Sequence, residues 1–154
     1  MDMPTLYIMR HGKAENTAPD IERRLTHIGI DNVKSVANNL RDSDTSIEKV
    51  IYSSATRAKQ TAMLMCEGLS IPIENQTEDA RIYNASVSEL KEVIAEIDGM
   101  PNSVLLVGHN PGFADLVLDL CQEGVHFSAG NLALVHAESW QDIRSCKCRL
   151  IEKI

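Results

Sequence analysis

A chain of 154 residues, 44% hydrophobic and 24% charged, is long enough to bury one good core and short for two, so a single domain over residues 1–154 is expected. The formal net charge of −7 and a pI of about 5.2 set up a field that repels nucleic acid and anionic membrane, so any anion site has to be a local cluster of cations. No run of about 18 apolar residues is present to span a bilayer, and Met1-Asp2-Met3-Pro4 lacks the basic and then apolar start of a signal peptide, which together predict a cytoplasmic protein.

The first apolar run, residues 6–9, reads as a buried strand that ends abruptly in Arg10-His11-Gly12. A guanidinium offers a planar fork of donors to phosphate or carboxylate, an imidazole can serve as nucleophile or base near neutrality, and a glycine lets the backbone turn sharply beside a ligand. Residues 13–24 are polar and read as a loop on the same edge as His11. Thr26 is placed to cap a helix in which Ile30, Val33, Ala37 and Leu40 recur on one face. Residues 47–53 read as a second strand, followed at once by a helix with Ala58, Ala62, Met65 and Leu69 on its apolar side. Arg57 falls in the first turn of that helix, where a cation opposes the positive end of the macrodipole; a functional reason would explain the placement, and a solvated surface arginine is the alternative.

Residues 71–73 can form only a short or edge strand, because Pro72 removes a ladder donor. Val87, Leu90, Ile94 and Ile97 mark a third helix, stopped by Gly99-Met100-Pro101-Asn102. The continuous apolar run 103–107 suits a central strand covered on both faces, and it ends in Gly108-His109-Asn110-Pro111-Gly112. Asn110 as N-cap with Pro111 at the first helical position is expected to open a fourth helix carrying Phe113, Leu116, Val117 and Leu120. Residues 132–137 and 146–151 read as an antiparallel hairpin at the sheet edge, joined by a polar turn containing Trp140 and Asp142. Cys66 and Cys121 belong to helical apolar patterns, and Cys146 and Cys148 fall on one face of the last strand. All four are expected to be reduced and structural, since a metal site built from Cys146, Cys148 and His126 or His136 would lack a second tight ligand pair.

Alternating strands and helices predict an α/β fold with a mostly parallel sheet between two helical layers and an antiparallel edge strand; ligands bind beyond the carboxyl ends of such strands. Arg10 and His11, Arg57, and His109 all converge on that edge, whereas His27, His126 and His136 do not follow a strand end beside a glycine and are expected to be surface or structural.

Four motifs in this order, Arg10-His11-Gly12-Lys13-Ala14-Glu15, Arg23-Arg24-Leu25-Thr26, Ser53-Ser54 through Arg57-Ala58 to Gln60-Thr61-Ala62, and Val107-Gly108-His109-Asn110-Pro111, resemble those of the histidine phosphatase superfamily. The short chain and the form of the first motif resemble its SixA-type phosphohistidine phosphatases. That resemblance implies the phosphoglycerate mutase-like fold, His11 as a nucleophile that is transiently phosphorylated, and Arg10, Arg57 and His109 as holders of the phosphoryl oxygens. It further implies substrate contacts from Gly12, Asn110 and Arg23, the last steering substrate from the loop, with no metal or other cofactor. Arg24 stands where relatives often carry Pro, and Ala14 where the mutase-like members carry Ser, which argues against that branch.

Larger relatives carry a general acid on the loop after the third strand. Glu78 and Asp79 are the nearest carboxylates here, and solvated loop charges describe them better. A phosphoramidate tolerates such an absence, because its imidazole leaving group can be protonated from water. The expected substrate is therefore a phosphohistidine-bearing protein, met by a monomer. The rivals are a phosphatase or mutase for small phosphate esters, and a non-catalytic phosphate-binding module; the intact His11 argues against the second.

Overall fold

Six strands assemble into one sheet in the order β3-β2-β4-β1-β5-β6. The computed structural model describes residues 3–154; Met1 and Asp2, on which part of the amino-terminal reading rests, lie outside the described residues. The strands are β1 (Thr5–Arg10), β2 (Lys49–Tyr52), β3 (Gln76–Glu78), β4 (Ser103–Gly108), β5 (Leu132–His136) and β6 (Arg149–Lys153). The helices are α1 (His27–Asp42), α2 (Thr56–Leu69), α3 (Val87–Ala95), α4 (Gly112–Cys121) and α5 (Trp140–Arg144). β1 to β4 pair in parallel, β5 runs antiparallel to both β1 and β6, and β6 forms the edge. The one reversed strand thus lies a place inside the edge.

Alternation along the central strands divides the core into two layers. Leu6, Ile8, Val104 and Leu106 pack with Leu90, Phe113, Leu116 and Trp140 of α3, α4 and α5. Tyr7, Met9, Leu105 and Val107 point the other way, against Val33, Ala37, Ala58, Ala62 and Met65 of α1 and α2. All six residues of β4 are buried, as the unbroken apolar run requires of a strand covered on both faces. The helix following β1 and the helix following β4 lie on opposite faces although the two strands are neighbours. A crevice opens at such a switch point.

Thr26 caps α1 by accepting from the Gly29 amide at 2.9 Å, and a reciprocal Ser86–Glu89 capping box opens α3. Elsewhere the local geometry departs from expectation. The edge strand begins at Gln76 rather than Ile71, because Pro72 leads into a 3-10 turn over Ile73–Asn75. The last two strands do pair, but α5 links them in place of a polar turn. Ser139 caps this helix, Trp140 and Ile143 bury its inner face, and the indole N–H donates to the Pro101 carbonyl at 3.1 Å. Cys146 adopts a left-handed conformation (φ 57°), and Cys148 precedes β6, so the two do not share a strand face. All four cysteines are unbridged, and burial raises the Cys66, Cys121 and Cys148 thiols to about 11, 11 and 12. Among the described residues no helix is long and apolar enough to cross a membrane.

Candidate active site

β2, β4 and β1 lie side by side, so their carboxyl ends deliver Ser53, His109 and His11 along one line. The two imidazoles stand with ring centroids 5.1 Å apart, and both are buried. His11 Nδ1 lies 2.7 Å from the Gly12 carbonyl oxygen. A carbonyl can only accept, so the ring proton sits on Nδ1 and Nε2 keeps its lone pair. Arg57 Nε approaches that lone pair at 3.3 Å.

Burial lowers the His11 imidazole from its ordinary 6.5 to about 4; the Gly12 carbonyl opposes the shift, and the charges of Arg57, Arg10 and Arg23 add to it. His11 is therefore a neutral ring with a directed lone pair at neutral pH. His109 is lowered to about 3, by burial first and then by His11 and Arg57. Its Nε2 lies 2.8 Å from the Ser53 hydroxyl, which already accepts from the Ala55 amide. The other ring nitrogen, Nδ1, is buried without a protein partner.

Arg10 Nε is likewise buried without a partner, while Nη1 is held by the Phe127 carbonyl at 3.0 Å. The unpartnered Arg10 Nε–H, the Arg57 fork and a second imidazole near the neutral His11 ring suit a group whose negative charge is spread over several oxygens. Arg57 is 6% exposed, so it is no solvated surface arginine. Its Nη1 donates to the Asp20 carbonyl at 2.7 Å and its Nη2 to Asp20 Oδ2 at 3.1 Å.

Gly12 commits its N–H to Thr61 Oγ1 at 3.0 Å and its carbonyl to His11, so its hydrogen-bonding groups brace the His11 corner rather than reach toward a substrate. Asn110 does not cap α4. The helix begins after Pro111, and the Asn110 amide donates instead to the Phe127 carbonyl at 3.1 Å, leaving its buried Oδ1 without a partner. Arg23 sits at the rim, donating to the Glu15 carbonyl at 2.7 Å and to Asp20 at 3.1 Å. Neither candidate acid is presented to the imidazoles. Glu78 pairs with Lys59 at 3.0 Å, and Asp79 caps the 3-10 turn Ala80–Ile82 while pairing with Arg81 at 2.7 Å.

Five side chains around the site were not singled out from sequence. Ser53 stands at a strand end like the others and opens one of the motifs, though no role of its own was attached to it. Thr61 and Gln60 belong to a recognised motif, and they tie Gly12 and Leu25 to α2. Asp20 and Tyr83 had no signal at all, being one carboxylate in a polar loop and one aromatic ring far along the chain. Tyr83 stands edge-on to His109 with centroids 5.6 Å apart, and its hydroxyl donates to Asp20 Oδ2 at 2.5 Å.

Comparison with known proteins agrees with this geometry. Residues 6–81 match the model of the histidine phosphatase superfamily (branch 1). The phosphohistidine phosphatase SixA of Escherichia coli (strain K12) is 31% identical over 121 residues, covering 75% of this chain and 73% of that protein. A solved structure of the protein histidine phosphatase SixA complexed with tungstate superposes with a TM-score of 0.81 at 26% identity, covering 97% of this chain and 96% of the other. A SixA-like protein of Nakamurella multipartitia gives 0.88 at 23% identity, over 100% of this chain and 96% of the other, a likeness of fold.

Proposed function

The chain belongs to the histidine phosphatase superfamily, and on that footing we propose that it removes the phosphoryl group from a phosphohistidine on another protein through a covalent phospho-His11 intermediate. The observation that carries this reading is the His11 ring itself, neutral, buried, and with Nε2 left as a lone pair by the Gly12 carbonyl. That atom attacks phosphorus in line, and the electron pair of the breaking P–N bond passes to the leaving imidazole. Water then attacks phospho-His11, which frees inorganic phosphate and restores the ring. Arg10, Arg57 and His109 hold the three equatorial oxygens throughout. Arg23 guides substrate from the rim, and Asn110 contributes a further substrate contact.

The SixA protein of Escherichia coli is a phosphohistidine phosphatase by name, and the tungstate complex shows that one such enzyme accepts a tetrahedral oxyanion. Glu78 and Asp79 are both engaged away from the imidazoles, which favours a leaving group that needs no positioned acid. The protein is proposed to act as a cytoplasmic monomer, in a single domain, without metal.

Phosphate release from a phosphohistidine-bearing domain, an alkyl phosphate and an aryl phosphate, measured in parallel, tests the substrate class. The expected order places the phosphohistidine domain far ahead, with slow cleavage of the aryl ester allowed. Efficient turnover of the alkyl ester would contradict it, since expelling an alkoxide requires a positioned acid. A pure binding module would release nothing from any of the three.

A further inference from the structure

Around the mouth of the site the side chains close a ring of contacts. His11 meets Arg57 at 3.3 Å, Arg57 meets Asp20 at 3.1 Å, and Asp20 meets Tyr83 at 2.5 Å; Tyr83 stands against His109, and His109 returns to His11. Asp20 is the only carboxylate in this ring. Its side chain is 51% exposed, whereas His11, Arg57 and His109 are all buried, so it forms the outer lip. The carboxylate is strongly committed to being an anion: the Tyr83 hydroxyl, then Arg23 and Arg57, hold it well below the ordinary carboxylate range. A proton donor it is not.

An ionised carboxylate offers about four lone-pair sites. Arg57 and Tyr83 use both on Oδ2, and Arg23 uses one on Oδ1, which leaves one acceptor site on Oδ1 of a half-exposed side chain. Arg57 links this carboxylate to the attacking nitrogen. One end of its guanidinium touches His11 Nε2 and the other touches Asp20, so a single guanidinium and two hydrogen bonds separate them.

Transfer of a phosphoryl group from one imidazole to another is nearly symmetric. On the attacking side the remote ring N–H is held by a carbonyl oxygen, that of Gly12. On the leaving side the remote nitrogen of a phosphohistidine must carry a proton for the ring to depart as neutral imidazole rather than as imidazolate. An acceptor that binds this N–H favours the reactive form, just as Gly12 favours the nucleophilic form of His11. Resting on the phosphohistidine reading, we infer that Asp20 is a specificity-determining residue whose free Oδ1 site accepts the remote N–H of the substrate's imidazole. The proton reaches that nitrogen from solvent before attack; the P–N electron pair then moves to the bridging nitrogen, and neutral imidazole leaves. Asp20 itself never changes protonation. The same lip disfavours leaving groups that present an oxygen anion instead of an N–H.

Asp20→Asn preserves shape and removes the charge, and Asp20 is half exposed, so the variant should fold. The test compares kcat/KM for a phosphohistidine-bearing domain with that for p-nitrophenyl phosphate, whose leaving oxygen carries no N–H. It also measures inhibition by inorganic phosphate. The ratio of the two kcat/KM values should fall about tenfold to a hundredfold, the worth of one hydrogen bond to a charged group, and phosphate should bind at least as tightly as before. An unchanged ratio would overturn the inference, as would a loss of phosphate affinity that matches the loss of rate, because Asp20 would then act only by orienting Arg57. Wild-type protein that fails to cleave phosphohistidine would sink the substrate reading and the inference together. Turnover by the wild type with an unchanged ratio would sink the inference alone.

Discussion

Arg57 carries a positive charge into the first turn of α2, against the macrodipole, and into burial at 6% exposure. The ion pair with Asp20 at 3.1 Å offsets part of both costs, and on the proposed reading a phosphoryl anion offsets the rest. Arg57→Ala removes about two hydrogen bonds to a charged group, so kcat/KM should fall by about 10² to 10⁴ while unfolding stays cooperative. Near-native activity would return Arg57 to a packing role. The imidazoles allow a second test at this scale. Ring resonances followed by NMR should show His11 neutral down to about pH 4 and His109 to about 3, with no transition near 6.5. The unfolded chain takes up these protons near 6.5 and the folded chain does not, so between those values the unfolded state binds more. Stability is therefore complete above about 6.5 and lost as pH falls from there through the folded values. A urea midpoint lower at pH 5 than at pH 7, with the drop reduced in His11→Gln, is the expected result.

At the scale of elements, Gly29 gives a case where propensity and packing disagree. It lies in the first turn of α1, where Ala would ordinarily gain about 1 kcal/mol. A Cβ there would lie 2.2 Å from the Lys13 carbonyl oxygen, a backbone atom that also accepts from the Thr26 amide. The loop cannot yield without loosening the cap, so Gly29→Ala should destabilise by about 1 to 3 kcal/mol; a raised denaturation midpoint would refute this. The same contrast between local and tertiary control explains what was legible in the sequence. Long periodic elements and a glycine-punctuated strand end announce themselves locally, and α1, α2, α3, β4 and the Arg10-His11-Gly12 corner all stand where patterning puts them. α5 did not, because five residues are too few to show a period, and Trp140 drives it inward through tertiary burial. Asn110 looked like a cap until the Phe127 carbonyl, 17 residues on, claimed its amide. Asp20 and Tyr83 meet across 63 residues, and no local pattern encodes such a pair.

Taken whole, the molecule sets a cationic crevice in an acidic body. The net charge of −7 does not steer anions toward it, so on the proposed reading capture falls to Arg10, Arg23 and Arg57 at short range. The sheet makes that possible: β1 and β4 are adjacent, their following helices lie on opposite faces, and His11 and His109 come to rest 5.1 Å apart between ring centroids. Everything proposed for the reaction passes through one atom, His11 Nε2. Rapid quench of the enzyme with a ³²P-labelled phosphohistidine domain measures it most directly. An acid-labile, base-stable label on the peptide containing His11, forming and decaying at rates consistent with turnover and absent in His11→Ala, is the predicted result. Undiminished turnover in His11→Ala, or turnover with no such label at any time point, would contradict the account.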